Sequence, residues 1–393
     1  MIQEITIKNF KSIDQLKLKL GRVTVLIGEN GCGKTNILEA IALSSAAASD
    51  KLDHEFLASR GIRITEPQFM RSAFNSDDLN QDSDDLNQEI ETSFQFKNDK
   101  IITYNLQHDG KPYSGWVSKI SGISEEISEI KIYDTLFYRG FENQGIFSGL
   151  SEADHVQQTI KRHIMENSDN LTLKKFLIFS PENSSLRIFK EEGQIQPLGI
   201  HGEGLFKLLT VLNAEKNQEK IQEIKEKMQL IDWFKDFSIP DEFSLNQKTL
   251  KIADRYLISR KQKYFDQNSS NEGFLFLLFY FCLFISDNTP KFFAVDNIDV
   301  SLNPRLGRRL VQELVQLAQK YDRQVIFTTH NPGILDGLDL EDDQQRLFVI
   351  YRNQLGYTKA RRILPPKPLE GQEPVRLSEA FLRGYIGGLP KNF

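Results

Sequence analysis

The amino-acid sequence predicts an α/β fold in which a mixed sheet is flanked by helices and interrupted by an inserted, mainly helical lobe. Residues 22–27 form a β-branched run, typical of a buried strand, that leads through a glycine-rich loop into a helical pattern at 36–48. Two further apolar strands, at 292–296 and 324–329, lie toward the other end of the chain. Strands that alternate with helices favour a sheet that contains parallel strands.

The composition is typical of a globular protein, because 393 residues with 39% hydrophobic content can bury a sizeable core. The formal net charge of -5 and the pI near 5.8 provide no overall attraction to nucleic acid. Any contact with DNA or RNA therefore needs a local basic face or an oligomeric groove. The two cysteines, Cys32 and Cys282, are too few for a disulfide scaffold or a cysteine-based zinc site and fit a reducing compartment.

The apolar segments predict neither secretion nor a membrane span. Residues 1–10 alternate polar and apolar side chains like a strand and lack the regions of a signal peptide. Residues 273–285 are the most apolar stretch, but they are shorter than the roughly 20 residues that a membrane-spanning helix needs. We therefore expect residues 273–285 to form a buried helix and the protein to be cytoplasmic, with no membrane partner.

The first predicted domain part, residues 1–117, begins with strands at 2–10 and 16–20 that precede the strand before the glycine-rich loop. Residues 75–88 are acidic and polar and contain a duplicated pentapeptide, which predicts a surface loop. Alternating residues at 91–107 with a polar break in the middle predict a β-hairpin.

The glycine-rich loop, Gly28 to Thr35, fits the pattern G-x-x-x-x-G-K-[ST] at every required position. Glycines let the backbone curve closely around phosphate oxygens, and the helix N-terminus adds the positive end of its dipole. Lys34 is expected to reach the β- and γ-phosphates, and the Thr35 hydroxyl to bind Mg²⁺. The strand–loop–helix order therefore predicts a site for a nucleoside triphosphate.

The remaining chain is predicted to form three parts. Residues 118–261 form an inserted, mainly helical lobe, in which 214–233 is the clearest amphipathic helix. The sequence has no sustained run of heptads, so we expect no long coiled-coil arm. Residues 262–353 return to α/β character. Residues 354–393 form a Pro-rich tail with a short docking helix at 377–385.

Two polar residues stand directly after the two later strands. Asp296 ends an apolar strand, which is how a Mg²⁺-organising carboxylate is presented at the edge of a parallel sheet. His330 follows strand 324–329, where a histidine beside a nucleotide can sense the γ-phosphate. Neither residue alone predicts a nucleotide site, since many strands end in an acid and many histidines cap helices or pack in the core.

The order of these motifs resembles the ABC-type ATPase heads of the SMC, RecF and OLD (overcoming lysogenization defect) group. The resemblance covers about residues 1–48 and 262–350, with an insertion between them. It implies an ABC-type P-loop ATPase head that binds ATP and Mg²⁺ and dimerises or forms a higher homo-oligomer. In that group, two heads enclose two nucleotides.

The resemblance also implies which residues contact the nucleotide. The turn that contains Lys11 is expected near the adenine. The segment 270–273 takes the place of the signature motif, which touches the γ-phosphate of a nucleotide held by a second subunit. Either Ser270 or Asn271 can occupy the position of the signature serine. The implied contacts are Asn30, Gly31, Gly33, Lys34, Thr35, Asn36, Lys11, Ser270, Asn271, Gly273 and Asn303.

The resemblance further implies which residues bind Mg²⁺ and which take part in ATP hydrolysis. Residues 301–304 resemble the D-loop that crosses the dimer interface, and His330 resembles the switch histidine. Thr35 and Asp296 are the implied Mg²⁺ ligands, and Asp296, Asn297 and His330 the implied catalytic residues. The loop that carries a glutamine in the family has two weak candidates here, Gln68 and Gln107.

Asn297 departs from the family pattern, in which a glutamate follows the strand-terminal aspartate and polarises the attacking water. An amide can position water but cannot accept its proton, and a general base commonly contributes roughly 10²- to 10⁴-fold in rate. We therefore expect slow hydrolysis, unless Asp299 or another acid substitutes. Slow hydrolysis favours a switch or sensor over a motor.

A narrower resemblance concerns stand-alone ATPases of bacterial anti-phage systems, such as the Septu ATPase. It depends on Arg60-Gly61-Ile62-Arg63, the turn at 197–204 and the segment 296–304. It implies a separate effector protein, an HNH nuclease or a toxin, that the ATPase controls. The segment after Arg352 is too short for the TOPRIM nuclease domain that OLD nucleases carry.

One alternative function is a RecF- or SMC-like DNA repair or maintenance ATPase that binds DNA directly. It needs a basic groove, to which the pairs Lys161-Arg162, Lys174-Lys175 or Arg361-Arg362 can contribute. Such pairs are usually only solvated surface. A transporter ATPase subunit is disfavoured, because the core is interrupted and a standard signature motif is absent from the sequence.

Overall fold

The computed structural model describes residues 1–72, 89–108, 115–123, 168–188, 197–214, 218–239, 249–257, 263–365 and 375–389. The acidic tract at 75–88 and the pair Lys161-Arg162 lie outside these residues. The chain forms two compact units. Unit 1 comprises Met1–Leu20, Gly31–Phe176 and Tyr351–Ala360. Unit 2 comprises Gly21–Asn30, Leu177–Ile350 and Arg361–Phe393.

The strands, in chain order, are β1 (Ile2–Phe10), β2 (Ile13–Lys19), β3 (Val23–Ile27), β4 (Ile90–Phe96), β5 (Ile101–Gln107), β6 (Val117–Ile123), β7 (Ile178–Phe179), β8 (Phe234–Ser238), β9 (Lys251–Asp254), β10 (Phe292–Val295), β11 (Gln324–Thr329), β12 (Gln345–Arg352) and β13 (Thr358–Ile363). The α-helices are α1 (Lys34–Ala48), α2 (His54–Ser59), α3 (Pro67–Met70), α4 (Ser168–Lys174), α5 (Asn183–Arg187), α6 (Leu205–Ala214), α7 (Glu219–Lys227), α8 (Glu272–Ile285), α9 (Pro304–Lys320), α10 (Pro332–Leu335) and α11 (Leu377–Leu382).

Unit 1 contains a five-stranded sheet in the order β2-β1-β4-β5-β6, in which each printed neighbour pair is antiparallel. Alternating burial along β4 and β5 shows why these segments form strands, since one face packs inward and the other meets solvent. The predicted hairpin is confirmed, with Ile90 opposite Leu106 and Gln95 opposite Ile101. Asp99 makes its turn with φ of 58°.

The first helix of unit 1, α1, is rich in alanine and buried over nearly its whole length. Alanine has high helix propensity and a small side chain, so it allows close packing on several faces of the helix. One charged residue, Glu39, is fully buried within it, with no exposed surface. A buried carboxylate requires partners, which are described with the site below.

Unit 2 contains most of a six-stranded sheet in the order β13-β12-β3-β11-β10-β7. The pairs β12–β3, β3–β11, β11–β10 and β10–β7 are all parallel. The strands β3, β10 and β11 are buried at every position, as expected for parallel strands covered on both faces. The predicted α/β fold with a mixed sheet flanked by helices is therefore confirmed.

The core of unit 2 includes α8, whose residues Phe274–Ile285 are all buried. The most apolar stretch of the sequence thus forms a buried helix, as predicted. Among the described residues, none of the helices is long and apolar enough to cross a membrane. A short helix, α11, begins at the predicted residue 377 and ends at Leu382 rather than at residue 385. Its Ser378 backbone N–H and hydroxyl donate hydrogen bonds to the Asp336 carboxylate at 2.9 and 2.7 Å, and its role as a docking element stays a prediction.

Some boundaries differ from the predictions. β2 begins at Ile13 rather than at residue 16, because Ile13 pairs with Phe10 at the tight end of the hairpin. The amphipathic helix predicted at 214–233 is shorter, since α7 is followed by a 3₁₀ turn and by β8. The described part of 118–261 contains strands β6 to β9 as well as helices. The predicted domain boundaries themselves stay a prediction.

Candidate nucleotide-binding site

Three parallel strands of unit 2 end at one edge of the sheet. In register, Thr329 at the end of β11 lies opposite Ile27 at the end of β3, and Val295 at the end of β10 lies opposite Phe327. The residues that follow these strands, Gly28, Asp296 and His330, therefore leave the sheet at the same edge. The carboxyl edge of parallel strands is where α/β proteins bind ligands.

Within unit 1, the second half of the glycine-rich loop has a backbone that only glycine adopts without strain. Gly31 has φ of 74° and Gly33 has φ of 107°. A Cβ atom on Gly33 would lie 2.2 Å from the Thr358 hydroxyl oxygen, whereas one on Gly31 would meet nothing within 4 Å. Gly33 is thus required by both conformation and space, and Gly31 by conformation alone.

Two side chains orient the peptide groups of this loop. Arg352 Nε donates to the Gly31 carbonyl at 2.9 Å, and the Thr358 hydroxyl donates to the Cys32 carbonyl at 2.9 Å. In a trans peptide the N–H points opposite to the C=O, so the N–H groups of Cys32 and Gly33 face away from Arg352 and Thr358. Adjacent N–H groups on one side of a loop are the donors that a phosphate group needs.

The start of α1 adds to this arrangement. Gly33 is the N-cap of α1, and no side chain caps the helix there. Lys34 is buried with 5% of its surface exposed, and its Nζ lies 3.8 Å from the Cys32 sulfur. Because an uncapped helix N-terminus and a lysine both favour an anion, the loop in this structure fits a phosphate group.

The buried Glu39 carboxylate binds two cationic side chains, those of Lys11 and Arg63. Its Oε2 accepts from Lys11 Nζ at 2.5 Å, and its Oε1 accepts from Arg63 Nε at 2.7 Å and from the Arg63 backbone N–H at 3.0 Å. Burial raises the pKa of the Glu39 carboxyl, but the hydrogen bonds and charges of Arg63 and Lys11 outweigh burial and hold the pKa below its ordinary value. Glu39 is therefore an ionised anchor for both cations.

A chain of hydrogen bonds connects this anchor to the loop. Arg63 Nη2 donates to the Asn36 amide oxygen at 3.1 Å, and Asn36 Nδ2 donates to the Ser12 hydroxyl at 2.7 Å. The hydroxyls of Ser12 and Thr358 lie 2.7 Å apart, and because the Thr358 proton is used on Cys32, Ser12 is the donor. Consecutive hydrogen bonds through Asn36, Ser12 and Thr358 thus connect Arg63 with the Cys32 carbonyl.

In unit 2, β11 supports the residues that follow β10. The Thr328 hydroxyl donates to the Asp296 carboxylate and accepts from the Asn297 backbone N–H at 2.9 Å. The Thr329 hydroxyl donates to the Asp299 carboxylate at 2.6 Å. Two adjacent threonines therefore hold two carboxylates of one turn in place, one on each side of Asn297.

Asn297 itself has a left-handed backbone, with φ of 55°. Asparagine tolerates this conformation better than most residues, which gives a structural reason for the amide at this position. A carboxamide donates to and accepts from water but does not take up its proton. His330, directly after β11, is exposed.

The segment 270–273, which was predicted to take the place of the signature motif, caps α8. The Asn271 amide oxygen accepts from the Phe274 N–H at 2.8 Å, and Asn271 is exposed. Ser270 is buried, with 5% of its surface exposed, and its hydroxyl donates to the Gln267 carbonyl at 2.9 Å. Of the two residues that the sequence left open, Asn271 is thus the accessible one, while Ser270 is committed within the fold.

The loop before α9 has a similar capping role. The Asn303 amide oxygen accepts from the Leu306 N–H at 2.9 Å, and Pro304 occupies the first turn. The Ser301 hydroxyl donates to Glu272 at 2.7 Å, which joins this loop to the start of α8. The predicted signature and D-loop segments are therefore neighbours within unit 2.

The predicted site residues divide between the units. Unit 1 holds Lys11, Gly31, Gly33, Lys34, Thr35 and Asn36. Unit 2 holds Asn30, Ser270, Asn271, Gly273, Asp296, Asn297, Asn303 and His330. The sequence interpretation missed Glu39, Thr358 and the role of Thr328. Glu39 had one usable signal, since it is the one acid in the otherwise apolar helical run after the loop.

Comparison with known proteins gives the family. A family model described as "AAA ATPase domain" matches residues 1–275, and this family implies nucleotide binding. Among solved structures, an SMC head bound to the C-winged helix domain of ScpA matches with a TM-score of 0.55 and 13% identity, over 92% of this chain and 97% of that one. At this identity the likeness concerns the fold.

Two curated relatives match over short segments. The OLD nuclease of Thermus scotoductus is 33% identical over 86 residues, which are 19% of this chain and 16% of the relative. The DNA replication and repair protein RecF of Alkaliphilus oremlandii is 38% identical over 56 residues, 14% of this chain and 15% of the relative. The chain thus matches less than two thirds of the length of either relative. The chain belongs to the AAA ATPase domain family and has the ABC-type ATPase head fold of the SMC, RecF and OLD group.

Proposed function

We propose that this protein is an ATP-binding, slowly hydrolysing ABC-type ATPase in which ATP and Mg²⁺ control the association of two heads, and through it a separate effector protein. The observation that carries the proposal is the turn after β10. Asp296 is followed by Asn297, whose left-handed backbone suits an amide, at the position where a carboxylate would accept a proton from water.

The chain's own groups supply the binding functions. Lys34 and the N–H groups of the glycine-rich loop hold the β- and γ-phosphates. Thr35 and Asp296 are the residues that would hold Mg²⁺, which would supply neutralisation of the phosphate charge. Thr328 orients Asp296 for that role through its hydroxyl. His330, exposed at the same sheet edge, is the proposed γ-phosphate sensor.

Slow hydrolysis follows from the turn geometry. Asn297 positions the attacking water without accepting its proton. Asp299 is the next acid after Asn297 along the chain, and its carboxylate already accepts a hydrogen bond from Thr329 at 2.6 Å. A long-lived ATP-bound state is the property that a switch needs.

The proposed effector is a separate nuclease or toxin in bacterial anti-phage defence, and the likeness to an SMC head bound to the winged-helix domain of ScpA supports a head that holds a partner protein. The short sequence phrases shared with defence ATPases, such as Arg60 to Arg63, motivate the defence role. Arg60 also has a structural task, because it donates to the Ser45 hydroxyl at 2.8 Å and to the Phe176 carbonyl at 2.7 Å.

A second candidate is a DNA repair or maintenance ATPase, which the matches to RecF and to an OLD nuclease support. Two of the basic pairs expected to bind DNA lie in the described residues. Arg362 forms an ion pair with Asp343 at 2.5 Å, and Arg361 donates to the Ile386 carbonyl. These contacts reduce the charge and the donors that Arg361 and Arg362 offer to a phosphate backbone.

The test combines molecular mass by light scattering with a phosphate-release assay, with and without ATP and Mg²⁺. We expect an ATP-dependent or constitutive oligomer with turnover below about 1 s⁻¹, the low end for enzymes. Lys34→Ala should lose both ATP-dependent stabilisation and ATP-dependent association. Fast turnover that DNA accelerates, with salt-dependent DNA binding, would instead support the repair ATPase.

A further inference from the structure

Unit 2 contains a groove with a volume of about 1040 Å³, whose lining includes Asn271, Gly273 and Asn303 together with residues that have no role in the site described above. Its walls are the segment 229–233, the start of α8 at 271–273, the loop before α9, and the first two turns of α9 with Arg305 and Arg309. Three separate parts of the sequence, 229–233, 271–273 and 301–309, thus line one cavity within this unit. Most of their polar side chains project from exposed positions.

The acidic groups of the groove already have partners. Glu272 accepts from the Ser301 hydroxyl at 2.7 Å and from Asn183 Nδ2 at 2.8 Å. Asp232 accepts from the Tyr256 hydroxyl at 2.7 Å. The carboxylates of Glu272 and Asp232 therefore accept hydrogen bonds from the protein itself and do not require a bound cation as a partner.

The two arginines differ from the acids. Arg305 and Arg309 are exposed, and neither forms an ion pair or side-chain hydrogen bond with the described part of the chain. They are four residues apart on α9, so their side chains project from the same face of the helix. An arginine pair on one face presents several N–H donors in a fixed fork, an arrangement that suits phosphate oxygens.

The neighbouring polar groups complete this donor set. The amide oxygens of Asn271 and Asn303 are used in capping α8 and α9, so each amide nitrogen is the end that can donate outward. Ser270 is buried, and its hydroxyl is used on the Gln267 carbonyl. The groove can therefore bind an anion through arginines and amides, without that serine.

We propose that Arg305 and Arg309 bind the terminal phosphate of a nucleotide that is held in the glycine-rich loop of a second copy of this chain. This inference rests on the proposed function, because it requires two heads to associate around ATP. It adds which groups contact the phosphate from the opposite subunit. The arginines act in trans, since the nucleotide they contact belongs to the partner.

A single phosphate group fits this groove better than a nucleic-acid backbone does. A backbone requires a stripe of cations along its path, whereas this groove offers one arginine pair, flanked by Asp232 and Glu272. The chain also carries a net charge of -5, which repels a long polyanion. Nucleic acid is therefore an outcome for the test to distinguish.

The first experiment compares Arg305→Ala/Arg309→Ala with Arg308→Ala. Arg308 is exposed on the same helix but lines a different cavity, with Asp336 and Asp339, so it controls for loss of surface charge. We expect the double variant to lose at least about tenfold in ATP turnover, a conservative threshold against the roughly 10³- to 10⁵-fold effects of arginine fingers. Thermal unfolding and ATP binding by the monomer should match those of the Arg308→Ala control.

A mixing experiment tests whether the arginines act in trans. Lys34→Ala and Arg305→Ala/Arg309→Ala are each assayed alone and then in equimolar mixture. In a mixed dimer, one site combines Lys34 from one chain with both arginines from the other. If half of the dimers are mixed and each has one intact site of two, turnover recovers to about a quarter of wild type.

The outcomes separate the two proposals. Recovery in the mixture supports the trans arginines. If mixed dimers form with ATP, as judged by molecular mass, but turnover does not recover, the inference is wrong while the proposed function stands. If the wild-type chain neither associates nor changes mass with ATP, the proposed function itself is wrong. If the double variant keeps its turnover and instead loses affinity for a single-stranded oligonucleotide, the groove binds nucleic acid and the inference is overturned.

Discussion

Substitution of Glu39 by glutamine tests whether the buried carboxylate organises the region behind the glycine-rich loop. Glutamine keeps the volume of the side chain and one acceptor oxygen, but it removes the charge that faces Lys11 and Arg63. In the wild-type protein these two cations approach the carboxylate to 2.5 and 2.7 Å. We therefore expect Glu39→Gln to destabilise the protein without creating a cavity.

The magnitude follows from the exposure of each partner. The side chain of Lys11 is 11% exposed, so its hydrogen bond to a buried charge should contribute about 1.5–3 kcal/mol. The side chain of Arg63 is 63% exposed and can turn to solvent, so its share is that of a surface pair, about 0–1 kcal/mol. The expected loss in the free energy of unfolding is about 1.5–4 kcal/mol, or roughly 3–8 °C in Tm at about 2 °C per kcal/mol.

The assay is thermal and urea unfolding of wild type, Glu39→Gln and the control Glu91→Gln. Glu91 pairs with Lys8 at 2.8 Å on the surface, with side chains 31% and 44% exposed, so its loss should cost less than about 1 kcal/mol. Equal effects of the two substitutions would refute the reasoning, because they would show that burial adds nothing to the Glu39 interactions.

Wild type and Glu39→Gln can also be compared as a function of pH. Because the folded state holds the pKa of Glu39 below its ordinary value of 4.5, the ionised carboxylate stabilises the fold above that pH. This contribution is lost as pH falls through the lowered pKa. The stability difference between wild type and Glu39→Gln should therefore be complete at pH 7 and decrease below pH 4.5. A difference that grows on acidification would contradict the lowered pKa.

Four further substitutions test the loop and the turn after β10. Asn297→Glu should raise ATP turnover in a phosphate-release assay, by up to the roughly 10²- to 10⁴-fold of a general base, at a cost of about 1 kcal/mol for the left-handed backbone; unchanged turnover would direct the test to Asp299. Gly33→Ala should abolish ATP-dependent thermal stabilisation because its Cβ strikes Thr358, whereas Gly31→Ala should cost only the backbone strain of about 1–2 kcal/mol; equal effects would contradict this distinction. Thr358→Val should lower stability by about 1–3 kcal/mol, because the buried Cys32 carbonyl loses its donor, and urea unfolding with an unchanged midpoint would show that the contact is dispensable.

Local patterns were sufficient for the elements that position the nucleotide. The β-branched run before Gly28 predicted a buried strand, and β3 is buried at every position. The apolar stretch at 273–285 predicted a buried helix, and α8 is that helix. These predictions succeed because strand and helix periodicity and the glycine-rich loop depend on neighbours along the chain.

The contacts around the site were outside the reach of such patterns. Ser12 and Thr358 are 346 positions apart, yet their hydroxyls share a hydrogen bond beside the loop. In the sequence, Glu39 indicates only a preference for helix, whereas the tertiary structure shows that its side chain is fully buried. Likewise, the choice between Ser270 and Asn271 depended on which side chain the start of α8 leaves accessible.

The sequence by itself determined the strand–loop–helix unit, the aspartate after a later strand and the amide that follows it, because each is a local property of covalently adjacent residues. The tertiary structure decided the rest. It put Glu39 between two cations and placed Thr328 and Thr329 beside the turn after β10. It also placed Arg305 and Arg309 beside a groove, without an ion pair to any residue that the structure describes. These features depend on long-range packing, which sets burial and hydrogen-bond partners and leaves no periodic signal in a single sequence.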